Sequence, residues 1–145
     1  MIDLKKIQLG KNKKPNIFSE IAEEAAHSIK YTNGQYEKKT NKSTQIRKYY
    51  DELSMWNDKV NLTTSKEERL RLFDEYIPFI YMLKAKVAYA EGRKSNGSTL
   101  VNRNFSQILN RCIDQIIDPE TLKEAKLFME AVLAFCKLEE VKNKG

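Results

Sequence analysis

An all-α fold, a compact bundle of about five helices, is what this sequence predicts, and three observations predict it. The chain of 145 residues holds only five Gly and three Pro, too few turn formers for a many-stranded sheet. Its apolar fraction of 41% and charged fraction of 32% suit a globular protein with much exposed helix. Its apolar residues recur at steps of three and four, the period of one helix face. The length allows one hydrophobic core and not two well-buried ones. We therefore expect a single helical domain over 16–145, preceded by a flexible basic arm over 1–15.

The arm, MIDLKKIQLGKNKKP, is lysine-rich and broken by Gly10 and Pro15, so it is expected to be mobile until a partner orders it. It lacks the apolar run of a signal peptide, and no stretch approaches the ~18 uninterrupted apolar residues of a membrane span. A cytoplasmic location is expected. The first helix should run from about Ile17 to Ile29, with Phe18, Ile21, Ala22, Ala25 and Ile29 on one side. YTNGQYEKKTN, carrying Asn33-Gly34, reads as a loop.

The second helix should start at Ser43, whose hydroxyl can cap the first turn. Ile46, Tyr49, Leu53, Trp56 and Val60 step by 3, 4, 3 and 4 and must face other helices. Arg47 with Asp51, and Lys48 with Glu52, lie one turn apart on the outer side, pairs worth only about 0.2–0.5 kcal/mol each. The third and longest segment opens with Ser65 and Glu68 at capping-box spacing and stays periodic to about Ala90. Pro78 inside it predicts a kink or break near Tyr76–Pro78. This segment carries two stripes: Phe73, Tyr76, Ile80, Leu83, Val87 and Ala90 on one face, and Phe79, Met82, Lys86, Tyr89 and Arg93 on another.

GRKSNGST over 92–99 reads as a turn or flexible loop. The fourth helix carries Phe105, Ile108, Leu109, Cys112, Ile113 and Ile116. Asp118-Pro119 is an N-cap followed by proline at the first helical position. It starts the fifth helix, which runs to about Val141 with Leu122, Ala125, Phe128, Met129, Val132, Leu133 and Cys136 inward.

Acid-base or nucleophilic chemistry should leave a readable cluster, and little is found. The lone His27 has no second histidine or carboxylate at metal-ligand spacing, and CxxC, HExxH, GxSxG and P-loop patterns are absent. The carboxylates pair as Glu23-Glu24, Asp51-Glu52, Glu67-Glu68 and Glu139-Glu140, but helical neighbours diverge by about 100° and cannot jointly hold a metal without another helix. Cys112 and Cys136 sit among apolar neighbours, where a free thiol acts as a small hydrophobe. No catalytic residue, metal ligand or cofactor is assigned. An enzyme is the disfavoured class.

Binding is better supported. Of the net charge of +6, residues 1–14 carry +4, residues 30–48 carry +5 and residues 84–111 carry +5, so the remainder is strongly acidic. Cations gathered into a few segments build a field that attracts a polyanion, of which nucleic acid is the commonest in a cytoplasm. Gln45, Arg47 and Lys48 in the first turns of the second helix, with Lys84, Lys86 and Arg93 around the end of the third, are the candidate phosphate-binding residues. Phosphate contacts need no pattern beyond cations on one surface. A solvated surface, a helical protein adaptor using the second stripe, and a small DNA-binding regulator stay open on the residues alone. The regulator would need a tighter turn before the second helix.

Three blocks resemble one known family. KSTQIRKYYDEL at 42–53, LKAKVAYAEGR at 83–93 and FMEAVLAFCK at 128–137 look like the small helical subunit of the type III-A CRISPR effector, the Csm complex, in order and spacing. The resemblance implies a non-catalytic subunit of a ribonucleoprotein that serves antiviral defence. Several copies would stack along the inner side of the filament and self-associate. Basic residues would touch target RNA and guide RNA backbones, chiefly the target strand, and neighbouring subunits would supply the cleavage chemistry. Gln45, Arg47, Lys48, Lys84, Lys86 and Arg93 fall inside the matching blocks, whereas Tyr89, Phe128 and Phe135 are expected in the core. A role for Lys13, Lys14, Lys38 or Lys39 rests on charge alone.

Overall fold

The computed structural model describes residues 1–144 of the chain, and its architecture is an all-α bundle. The helices are α1 (Glu20–Lys30), α2 (Ser43–Asn61), α3 (Lys66–Tyr81), α4 (Leu83–Gly92), α5 (Arg103–Asp114) and α6 (Pro119–Lys142). The pair α3 and α4 is the long third segment of the sequence reading, interrupted at Met82. The interruption falls one turn past the Tyr76–Pro78 site expected for it. α3 continues through Pro78, and the Pro78 carbonyl still accepts the Met82 amide at 3.1 Å.

The long helix α6 is the centre of the bundle, packed along both α1 and α2, while α3 lies on α2 and α4 on α5. Leu122, Ala125, Phe128, Met129 and Val132 of α6 are wholly buried. At about 1.5–3 kcal/mol for each large apolar side chain removed from water, this seam is the main source of stability. Asp118 caps α6, accepting the Thr121 amide at 2.7 Å with Pro119 at the first helical position. Ser65 caps α3 through the Glu68 amide.

Three sequence expectations need correction. Residues 2–10 are packed against the bundle, where a mobile arm over 1–15 was expected. Ile2, Ile7 and Leu9 are buried, the Ile7 carbonyl accepts from Arg111 Nε and Gln115 Nε2, and the Gly10 amide donates to Glu124 Oε1. The apolar residues of the segment, spaced among its lysines, supply the anchor. Ser43 is not a cap: Lys42 holds the cap position, and the Ser43 hydroxyl donates to the Glu140 carboxylate instead.

The two Asn-Gly loops, third, are short antiparallel hairpins. β1 (Tyr31–Thr32) pairs with β2 (Gln35–Tyr36), and β3 (Lys94–Ser95) with β4 (Ser98–Thr99). Asn33 and Gly34 have φ of 53° and 80°, and Asn96 and Gly97 have 54° and 83°. Two successive positive φ values define the turn that matches strand twist, which Asn-Gly adopts most readily.

A polar hub joins these hairpins to the helices. Asn41 is fully buried with φ of 54°. Its Nδ2 donates to the Ile29 carbonyl at 2.9 Å and to Asn102 Oδ1 at 2.8 Å, and its Oδ1 accepts the Asn102 amide at 2.9 Å. The Asn41 carbonyl accepts from Lys30 Nζ at 2.9 Å. The end of α1, the start of α2 and the start of α5 are thereby held at one end of the bundle, and the first turn of α2 acquires a fixed position.

Candidate nucleic-acid interface

The candidate cations divide by the partners they meet. On α2, the inward residues Ile46, Tyr49 and Leu53 fix the helix rotation, which leaves Arg47 and Lys48 exposed on diverging sides. Arg47 turns toward α6. Its guanidinium lies 6.0 Å from the centre of the Tyr50 ring, and its approach to Asp51 is long, 3.8 Å, with both side chains mostly exposed. Such a pair contributes at most a few tenths of a kcal/mol. Arg47 lines a groove between α2 and α6 together with Ser43, Tyr50, Glu130, Leu133 and Lys137.

Glu130, on the groove's far wall, is an anion held below the usual carboxylate range. A hydrogen bond from the Tyr50 hydroxyl and another from Lys126 cause this, against a smaller opposing effect of burial. Burial and the bond to Glu130 in turn push the Tyr50 phenol up. The groove therefore presents a guanidinium only loosely paired with Asp51 against a carboxylate whose charge is already met by Lys126 at 3.0 Å.

Lys48 and Gln45 lie on the other side of α2, bonded to each other at 3.4 Å, and face toward α4. The expected Lys48–Glu52 pair does not form there. Glu52 instead takes Lys86 of α4 at 2.7 Å, and the Tyr49 hydroxyl donates to the Lys86 carbonyl at 3.5 Å, so this cation serves to join two helices. Lys84, about 200° away around α4, is similarly spent on Asp114 of α5 at 2.6 Å.

Arg93 follows α4 and lies 5.9 Å from the Tyr89 ring centre. Tyr89 itself, expected in the core, is 67% exposed. The inward stripe of the long segment is Ile80, Leu83, Val87 and Ala90, and Tyr89 sits about 100° off it, exposed as Phe79 and Met82 are. An exposed tyrosine under a guanidinium is a surface on which a base or sugar can rest.

The six residues thus form no single cluster. Gln45, Lys48, Lys86 and Arg93 border the α2–α4 side, Arg47 the α2–α6 groove, and Lys84 the α4–α5 seam. Arg47, Lys48 and Arg93 keep their charge available, and Lys84 and Lys86 share theirs with carboxylates. The sequence reading missed Lys137, which shares the groove with Arg47. Its position in α6 carries no signal of its own, because the neighbour that gives it meaning lies ninety residues earlier.

Among the described residues no group of three or more His, Cys, Asp or Glu is placed to hold a metal ion, and no helix is long and apolar enough to cross a membrane. Cys112 and Cys136 are buried free thiols, both pushed up to about 12 by burial. A family model described as Csm2 Type III-A matches residues 12–142. No curated protein and no solved structure matches the chain.

Proposed function

Because the chain belongs to the Csm2 type III-A family, and so is a subunit of a type III-A CRISPR Csm complex, we propose that it is a non-catalytic, cytoplasmic small subunit that stacks in several copies and holds RNA backbone. The observation that supports this most is the set of exposed cations on the outer faces of α2 and after α4 that no carboxylate approaches closer than 3.8 Å: Arg47, Lys48 and Arg93. Gln45 and Lys86 border the α2 surface, Gln45 bonded to Lys48 and Lys86 with its charge shared with Glu52, while Lys84 lies apart at the α4–α5 seam, paired with Asp114.

In RNA-guided recognition, base pairing supplies sequence specificity and protein subunits read backbone geometry. A subunit with that task needs distributed cations and no base-reading pocket. Its hold on RNA is weak for one copy and strong when many copies engage one strand.

The test is target RNA retention by effector complexes reconstituted with wild-type protein or with Arg47→Glu plus Lys48→Glu. The proposal expects normal assembly and weakened retention. Assembly with undiminished RNA binding overturns it.

A further inference from the structure

We infer that the chain has a second phosphate-binding surface, a lysine-lined concavity at the junction of the 37–42 loop, the start of α2 and the end of α6, which takes the phosphodiester backbone of RNA. The inference extends the RNA-binding reading above and rests on it. Lys38, Lys42, Lys137 and Lys144 line a concavity of about 590 Å³, with Tyr36 and Thr44 among its walls. The four lysines come from two separate segments of the chain. Among the described residues none of the four has an ion-pair partner within 4.0 Å.

The acids nearby are committed elsewhere. Glu140 borders the concavity and feels the charge of Lys137, but its carboxylate accepts from the Ser43 hydroxyl and from the almost wholly buried Lys30 Nζ at 3.1 Å, so most of its charge is already met. Glu139 is bonded to the Tyr31 hydroxyl at 2.8 Å and lies 3.6 Å from Lys142. Glu37 precedes Lys38 in the loop and is not among the residues lining the concavity. The four lysines therefore form a positive excess whose mutual repulsion an incoming anion relieves.

Continuity assigns the anion to RNA. Ser43 and Lys137 border both this concavity and the groove that holds Arg47, so the cations run as one track along the α2–α6 seam from Lys144 to Arg47. Tyr36 lies at one end and Tyr50 at the other. Cations that follow a backbone, interleaved with aromatic rings, fit a single strand whose bases can rest on the rings. An acidic protein segment would use the charge and leave the rings without a role.

The experiment measures fluorescence anisotropy of a labelled short oligouridylate with the isolated protein across a salt series. It compares wild type with Lys38→Gln/Lys42→Gln/Lys137→Gln/Lys144→Gln and with Arg47→Gln/Lys48→Gln/Arg93→Gln, all checked by circular dichroism and melting. All seven positions are exposed, so each variant should fold. The inference expects the lysine variant to lose roughly tenfold or more in affinity at low salt. Its slope of log K against log salt should be shallower by about 2–3, since each phosphate that a lysine neutralises on a single strand accounts for about 0.7.

Wild-type affinity in the lysine variant with a loss in the arginine variant overturns this inference and leaves the wider reading standing. No binding by wild type at low salt also overturns it, since the wider reading is tested in the assembled complex. If the lysine variant keeps its RNA affinity but loses binding to polyglutamate, the concavity belongs to an acidic protein surface and the inference fails.

Discussion

Replacing Lys30 by Met tests whether the basic end of the bundle is organised around a buried ion pair. The Lys30 side chain is 2% exposed, its ammonium donates to the Asn41 carbonyl at 2.9 Å, and it lies 3.1 Å from a Glu140 carboxylate that is 20% exposed. Met fills nearly the same volume, so packing changes little and the charge is the variable. Removing one partner of a buried pair costs about 3–5 kcal/mol, most of it the penalty of the charge left behind. Glu140 retains the Ser43 hydroxyl and some water, which places the loss near the lower limit, about 3 kcal/mol. For a chain of this size that is a fall in melting temperature of about 6–12 °C.

The pH dependence gives a second readout. Burial pushes the Glu140 carboxyl up, but hydrogen bonds from Ser43 and Lys30 and the charges of Lys30 and Lys137 outweigh it and hold the group below its usual value. A depressed carboxyl contributes stability above the unfolded value, about 4.3, and loses it as pH falls through the folded value. The gap between wild type and Lys30→Met should therefore be widest near neutrality and close in acid. Adding Glu140→Gln to Lys30→Met removes the stranded charge and should restore part of the loss. The assay is thermal unfolding followed by circular dichroism from neutral pH into the acid limb. A fall of less than about 2 °C at neutral pH, or a gap that widens in acid, refutes the reasoning.

Asn41→Ala removes three hydrogen bonds of the buried hub and leaves a left-handed backbone without its side-chain support. It should cost about 2–4 kcal/mol in urea unfolding, whereas Asn96→Gly at the exposed hairpin tip should change stability by less than about 1 kcal/mol. Ile7→Ala should cost about 2–4 kcal/mol because the side chain is wholly buried; a loss under about 0.5 kcal/mol would mean that the first residues are a free arm. With both thiols pushed up to about 12 and buried, neither cysteine should react with a thiol-specific disulfide reagent at mildly alkaline pH until denaturant is added. Rapid labelling of the native protein would contradict their placement.

Much of the bundle was legible because its helices follow one rule at a time. Ile46, Tyr49, Leu53 and Val60 announce a buried stripe by their spacing, and Asp118-Pro119 announces the start of α6 through local chemistry. What stayed hidden depends on neighbours distant in sequence. Ser43 looks like a cap until Glu140 is seen beside it, and Glu52 looks like a partner for Lys48 until α4 delivers Lys86. The N-terminal segment reads as mobile because it is lysine-rich and broken by Gly10 and Pro15, and the burial of its apolar residues becomes visible only when Arg111, Gln115 and Glu124 supply the bonds that anchor it.

The same limit governs the candidate site. Sequence position identified which cations are concentrated, and it could not say which would be neutralised. That depends on helix rotation, and a difference of about 100° separates Arg47 in the α2–α6 groove from Lys48 on the α4 side. Tyr89 shows how little margin there is. One residue from Ala90, which is buried, it stands in solvent beneath Arg93.

The measurement that tests the account most directly is the salt dependence of target RNA affinity for reconstituted effector complexes carrying either wild-type subunit or Arg47→Gln/Lys48→Gln/Arg93→Gln. If these residues hold phosphates, the slope of log K against log salt becomes shallower by about 2 for each engaged copy of the subunit, while complex assembly and protein stability stay unchanged. Superimposable salt curves for the two complexes would contradict the account, and would make the surface of α2 and α4 a solvated face.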